Sequence, residues 1–253
     1  MARDASFEVD VSPATESEQT LLVGLTSMGV AGLTAADYLV RHHDSEQLGH
    51  VSPADLPAIT PVEDGVPRHH TRLYNLADID VTVLVSELFV PVWAARSFVD
   101  ALLDWVAVAQ VEEIAVLHAV PYPHGPDEHA VYTVATETYR SQRLDDLGMR
   151  PLAGGFLDGI PGELVSRSLD DDAPPVGVYV TPAHPPGPDI DAALFLLDAI
   201  EQAYGISVDL QELEDLSDSI HKHYAALAER MDSLRDTDTS SVDREFAEDR
   251  MFM

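Results

Sequence analysis

The sequence predicts an α/β protein whose mainly parallel sheet lies between helices, and three observations carry that prediction. Short apolar, β-branched runs recur at residues 20–25, 80–86, 113–118 and 176–181. Such near-continuous runs mark strands buried on both faces. Helical segments separate them, and strands alternating with helices build a parallel sheet covered on both sides. Glycine-bearing turns lead from strand to helix at 24–33 and 152–165.

The elements follow in order. Residues 2–19 read as a leader with a strand around 7–11. The run 20–25 enters a glycine turn, then a helix through Ala35, Ala36, Tyr38, Leu39 and Val40 that ends at His42 and His43. Pro53, Pro57, Pro61 and Pro67 break the next stretch into short strands and turns, and 68–76 alternates like a hairpin arm. After the strand 80–86, Pro91 opens a long helix. Val92, Trp93, Ala95, Phe98, Val99, Leu102, Leu103 and Val106 form its apolar face. A third buried strand at 113–118 leads to a Pro/Gly/His loop (120–130) and a short strand at 131–135. Residues 152–165 run from strand through glycine turns into helix. The strand 176–181, a proline-rich loop and a helix over 189–204, closed by Gly205, complete the domain.

The last part differs. Residues 209–234 contain no proline or glycine, and Leu213, Ile220, Leu227 and Leu234 stand seven apart, with Leu216, Tyr224 and Met231 between them. That is one apolar stripe on a long helix. Two readings stay open. The stripe packs on its own sheet, or it forms an oligomer arm that pairs between subunits through Leu213, Leu216, Ile220 and Leu227. Residues 235–250 are polar and aperiodic and read as a flexible tail, which ends in the apolar Met251, Phe252 and Met253. The expected organisation is an α/β domain (1–208), an amphipathic helical arm (209–234) and a C-terminal tail (235–253).

Composition limits the function. The 253 residues carry 45 acidic and 14 basic side chains, a net charge of -31, and Lys222 is the single lysine. Self-repulsion on this scale opposes a compact state in dilute buffer. At ~1 M salt the Debye length is about 3 Å and the repulsion is screened. The composition therefore reads as salt adaptation, with a basic partner as the competing reading. Nucleic acid is excluded as a partner, because phosphate contacts need clustered Lys or Arg. Without cysteine there are no disulfides or thiolate sites. Residues 1–20 lack the apolar core of a signal peptide. No apolar run reaches the ~18 residues of a membrane span, so a cytoplasmic protein is expected.

The candidate chemistry is sparse. Gly24 and Gly29 have phosphate-loop spacing, but Val30 and Ala31 stand where that loop needs Lys and Ser/Thr. The glycines read instead as a tight turn. His118, His124 and His129, with Asp127 and Glu128, form the one loop cluster with plausible ligand chemistry. Loop histidines are commonly solvated or structural, so no metal is assigned. Ser86 precedes Glu87 without a nucleophile elbow. No catalytic residue and no cofactor are assigned.

The order of motifs resembles the proteasome-assembly-chaperone-2 family over about 20–211. The resemblance rests on the strand–glycine–helix segment 22–39, the apolar strand before a tryptophan-bearing helix (81–93) and the LHAVPYP strand-to-loop sequence. The glycine turn at 154–164 and the Tyr179-Val-Thr-Pro182 segment extend it. It implies an α/β/α sandwich distantly like nucleoside phosphorylases, homo- or hetero-oligomers, and binding to proteasome α subunits without catalysis. It also implies a docking tripeptide of hydrophobic residue, tyrosine and any residue. Met251 and Met253 match its first and last places. Phe252 stands at the tyrosine, where its ring fills an apolar pocket but the hydroxyl's hydrogen bond is lost. A phosphorylase-like or hydrolase-like enzyme is the alternative, since one fold hosts both.

Overall fold

The computed structural model describes residues 5–12, 17–54, 56–57, 59–122, 129–184, 187–223, 226–227 and 230. Two units divide the chain, Met1–Asp209 and Leu210–Met253.

The first unit is built on a nine-stranded mixed sheet. Its centre consists of β2 (Thr20–Leu25), β7 (Val81–Ser86), β8 (Glu113–Val120) and β11 (Val176–Pro182). These run parallel in the order β7-β2-β8-β11. Residues Thr20, Val81 and Glu113 share one register level, so the strands start together at one edge and end together at the other. β2, β7 and β11 are buried along their whole length, the consequence of helices on both faces.

Antiparallel strands extend both sides of this core. β3 (Ser45–Pro53), β6 (Thr71–Leu76) and β1 (Phe7–Val11) add beyond β7 in the order β1-β3-β6-β7. β9 (Tyr132–Ala135) runs antiparallel to β11, and β10 (Arg150–Pro151) parallel to β9. A small hairpin of β4 (Val62–Glu63) and β5 (Val66–Pro67) interrupts the β3–β6 connection.

The helices obey the handedness of crossovers. From β2 the chain moves one way along the sheet to β7, then back past β2 to β8, and right-handed connections in opposite directions put their helices on opposite faces. α1 (Ala31–His42) accordingly packs with α5 (Ile190–Tyr204) over β2, β7, β8 and β11. α2 (Val92–Ala109) packs with α4 (Gly159–Leu169) on the other face. Pro91 caps α2 rather than starting it, and the expected apolar face is the buried one, from Ala94 to Val106. Phe98, fully buried and edge-on to Phe7 at 5.2 Å, contributes roughly 1.5–3 kcal/mol through its burial.

A one-turn α3 (Glu137–Tyr139) continues into a π turn over Arg140–Leu144. No helix among the described residues is long and apolar enough to cross a membrane. In the second unit, residues 211–223 are helical.

Candidate functional site: the carboxyl edge of the sheet

In a parallel sheet the connections beyond the carboxyl ends of the strands are where ligands and partners bind. Here that edge is built by 26–30 after β2, 87–91 after β7, 152–158 before α4 and 183–189 after β11. Its outer surface is apolar. Phe89, Val92 and Trp93 are exposed where β7 turns into α2, and Phe156 is fully exposed in the turn before α4. The two helix starts lie side by side: Arg96 reaches Glu163 at 3.8 Å, and Arg167 pairs with Asp100 one turn further on.

Charge is divided unequally between the two edges. Each of these four connections carries at most one acid among its described residues, and the β3–β6 connection at the same edge adds Glu63 and Asp64. Glu87 is spent on Arg68 and Arg72, and Asp189 accepts from the Ala192 and His184 amides. Burial works against the Asp189 carboxylate, but these amide hydrogen bonds hold it below the usual carboxylate range. The amino-edge connections 17–19, 43–44, 77–80, 110–112 and 170–175 carry eight acids and no lysine or arginine, and the 136–149 connection after β9 adds three acids with Arg140 and Arg143.

Below the carboxyl edge lies a closed ring of alternating charges. Arg72 donates to Glu87 at 2.8 Å, Arg68 donates to Glu87 at 2.9 Å and to Glu63, and Arg41 donates to Glu63 and Asp37 at 2.6 Å each. Asp37 returns to Arg72 at 4.0 Å. The ring ties α1, the β4–β5 hairpin, β6 and the residue after β7 together. Arg72 is its buried member, with 1% of its side chain exposed. Burial disfavours its charge, but hydrogen bonds to Glu87 and to the Tyr74 hydroxyl outweigh that and raise its pKa. Beside the ring, a 400 Å³ pocket is lined by residues that include Leu56, Ile59, Arg68, His69 and His70. His50 stacks on His69 with 3.5 Å between ring centres. Burial, then the charge of His69, lowers the His50 pKa.

Two other polar pockets open at the amino edge, around Gln19, Thr20 and Arg143, with volumes of 370 and 390 Å³. The arginine and acid there are already committed. Arg143 donates to Glu113 at 2.7 Å, and Glu113 accepts from Thr20 at 2.9 Å. Behind them Tyr139 bonds to Tyr179 and Tyr204. Burial raises all three phenols, Tyr179 to about 12, so they stay neutral hydrogen-bonding groups at any working pH.

The residues singled out from sequence fall as follows. Leu213 is buried (4% exposed), Ile220 half-buried, and Leu216 and Leu227 exposed. Met251, Phe252 and Met253 lie outside the described residues, as do Tyr224, Met231, Leu234, His124, Asp127 and Glu128. His118 is lowered by burial, with Asp158 pulling the other way, and His129 rests against His184 and Phe195. No group of three or more His, Asp or Glu among the described residues is placed to hold a metal. Ser86 hydrogen-bonds to Thr71 and to the Leu88 carbonyl, and Thr71 in turn meets His70.

The glycines divide into two roles. Gly29 makes the turn at φ +62°, and Val30 follows in the same left-handed region. Gly24 and Gly32 serve packing: a Cβ on Gly32 would overlap the Leu117 carbonyl, and one on Gly24 would overlap Ala36 and the Gly32 carbonyl. They let α1 lie directly on β2 and β8. Sequence reasoning missed the Arg72 ring and the charge division between the edges. The signal for the ring was an arginine within the alternating 68–76 strand.

A model of the PAC2 family matches residues 21–228. Among curated proteins none matches the chain in sequence. Several solved structures share the fold. Pyrococcus furiosus PbaA, described as an archaeal homolog of proteasome-assembly chaperone, superposes with a TM-score of 0.79 at 18% identity, over 98% of this chain and 100% of its own. Pyrococcus furiosus PbaB, described as an archaeal proteasome activator, gives 0.72 at 17% identity, over 89% and 99%. A Thermoplasma acidophilum protein of unknown function gives 0.71 at 22% identity, over 87% and 93%. With most of its length, from β2 into the second unit, under the family model, the chain belongs to the PAC2 family.

Proposed function

We propose that this protein is a non-catalytic assembly chaperone or docking partner of the proteasome core, acting in the cytoplasm on α subunits. Family membership over residues 21–228 carries the reading, and the likeness to PbaA along nearly the whole chain supports it. In this reading Met251, Phe252 and Met253 are the docking tail. A tether of about sixteen residues (235–250) gives them a root-mean-square reach of roughly 20–25 Å. Met251 and Phe252 each gain roughly 1.5–3 kcal/mol on burial, before ordering costs. Several tails on one homo-oligomer then act together through effective concentration, with the Leu213, Leu216, Ile220 and Leu227 helix as the oligomer arm. The enzyme alternative has less support, because the arginine and acid at the amino-edge pockets neutralise each other.

The test is capture of proteasome α subunits in high salt by the full chain, by a chain lacking residues 251–253, and by Phe252→Tyr. The truncation is expected to weaken capture without changing oligomer mass or melting point. Phe252→Tyr is expected to hold or strengthen it. Equal capture by the truncated chain overturns the tail as docking element.

A further inference from the structure

The carboxyl edge presents Phe89, Val92, Trp93 and Phe156 to water from adjacent helix starts. We propose that this surface is a self-association face, occupied by the same surface of a second copy of the chain in a two-fold contact. The inference rests on the self-association in the reading above and moves a contact from the arm to the body; it is independent of docking to α subunits.

Charge selects the occupant. A second copy brings the same net charge of -31, so two copies meet at least cost where charge is lowest. Residues 88–95 (LFVPVWAA), 152–157 (LAGGFL) and 26–36 (TSMGVAGLTAA) contain no ionisable side chain. A basic partner is served instead by the opposite edge, where acids outnumber bases and Arg143 and Arg140 are paired with Glu113 and Asp145. The two-fold form follows from what else is exposed. Val108 and Leu169 stand at the ends of α2 and α4 beside the acidic amino edge, and Val62 and Val66 flank Glu63 and Asp64. Ile59 lines the pocket with Arg68 and His69, Phe195 rests on His129, Tyr122 follows β8, and Leu216 and Leu227 belong to the second unit. The carboxyl-edge cluster thus has its best complement in itself, and a self-complementary patch pairs about a two-fold axis. Trp is among the side chains that carry most energy at such contacts, and Phe is enriched at them. Phe156 follows Gly154 and Gly155, where a Cβ would meet at most one side-chain atom, so its turn has room to adjust.

Light scattering on the purified full chain tests the proposal across a salt series. The wild type is expected to form dimers or multiples of dimers that tighten as salt rises, because screening removes repulsion while apolar burial remains. Trp93→Glu with Phe156→Glu is expected to halve the mass and weaken self-association by about tenfold or more, with an unchanged circular dichroism spectrum. Leu169→Glu, at the amino edge, is expected to leave the mass as it is. Because the chain has no cysteine, Phe156→Cys gives a unique label without adding charge. Spacer-length thiol cross-linking is expected to join Phe156→Cys copies and not Leu169→Cys copies. A monomeric wild type, or a Trp93→Glu/Phe156→Glu chain of unchanged mass, overturns the proposal. So does association that weakens with salt, or cross-linking that is equal at the two sites. A double variant that keeps its mass but loses α-subunit capture overturns it too, and gives the surface to that partner. If the wild-type chain fails to capture α subunits while the double variant halves in mass, the face stands and the proteasome reading falls.

Discussion

Replacing Arg72 with methionine isolates the ion-pair ring from the packing around it. Methionine keeps most of the buried stem and removes the guanidinium. Lost with it are two hydrogen bonds to Glu87, at 2.8 and 3.1 Å, one to the Tyr74 hydroxyl at 2.8 Å and one to the His69 carbonyl. Breaking a buried pair from one side costs about 3–5 kcal/mol. Glu87 is 22% exposed and keeps Arg68 at 2.9 Å, which places the expected loss at the low end, about 3 kcal/mol. For a domain of this size that lowers the melting temperature by about 6–12 °C. Arg41→Ala cuts the same ring at a member that is 49% exposed, where an ion pair is worth about 0–1 kcal/mol. Adding Glu87→Gln to Arg72→Met is expected to cost less than the sum of the two single changes, by about 1–2 kcal/mol. Urea denaturation in high salt measures the four variants and the wild type without changing ionic strength. The reasoning is refuted if Arg72→Met costs no more than Arg41→Ala, or if the pair of changes is additive.

Three further outcomes follow. Burial lowers the pKa of His50, His70 and His118, so the unfolded chain binds protons first as pH falls through about 6.5. The stability these groups contribute is complete above that pH and is lost below it, down through their folded values. Melting temperature should therefore fall between pH 7.5 and 5.5, less steeply in His118→Gln, and a flat profile would contradict the assignment. Gly32→Ala forces a Cβ onto the Leu117 carbonyl and should cost about 1–3 kcal/mol or more by overpacking, whereas Gly154→Ala, with nothing within 4 Å, should be close to neutral in thermal denaturation. Circular dichroism melts should fall as salt drops well below ~1 M, since screening is withdrawn from a surface of net charge -31; an unchanged melt would remove the salt-adaptation reading.

The central fold was legible because its strands are apolar runs that only double-sided burial explains. β2, β7, β8 and β11 lie where residues 20–25, 80–86, 113–118 and 176–181 predicted them. β1 spans the expected 7–11, and α5 ends at Gly205 in the left-handed conformation. The antiparallel additions were less visible. β3 is mostly exposed or half-buried along its nine residues, so it lacks the apolar run that flags a strand, and β10 pairs through two residues only. The π turn at Arg140–Leu144 carries no apolar period. The surface at the carboxyl edge was written in the sequence as Phe89, Val92, Trp93 and Phe156. Trp93 and Val92 were assigned to the buried face of α2, whereas both sit in its exposed first turn, ahead of the point where the helix reaches the sheet. The Arg72 ring joins residues 37, 41, 63, 68, 72 and 87 through tertiary contacts alone, and no spacing rule brings those together.

The central claim is engagement of the proteasome core, and direct binding tests it most plainly. The full chain is titrated onto immobilised α-subunit rings in high salt, with a tail-deleted chain and an unrelated acidic protein of similar charge alongside. The account predicts saturable binding by the full chain, weaker binding after deletion of residues 251–253, and none by the acidic control. Absence of binding by the full chain, or binding equal to that of the acidic control, would contradict it.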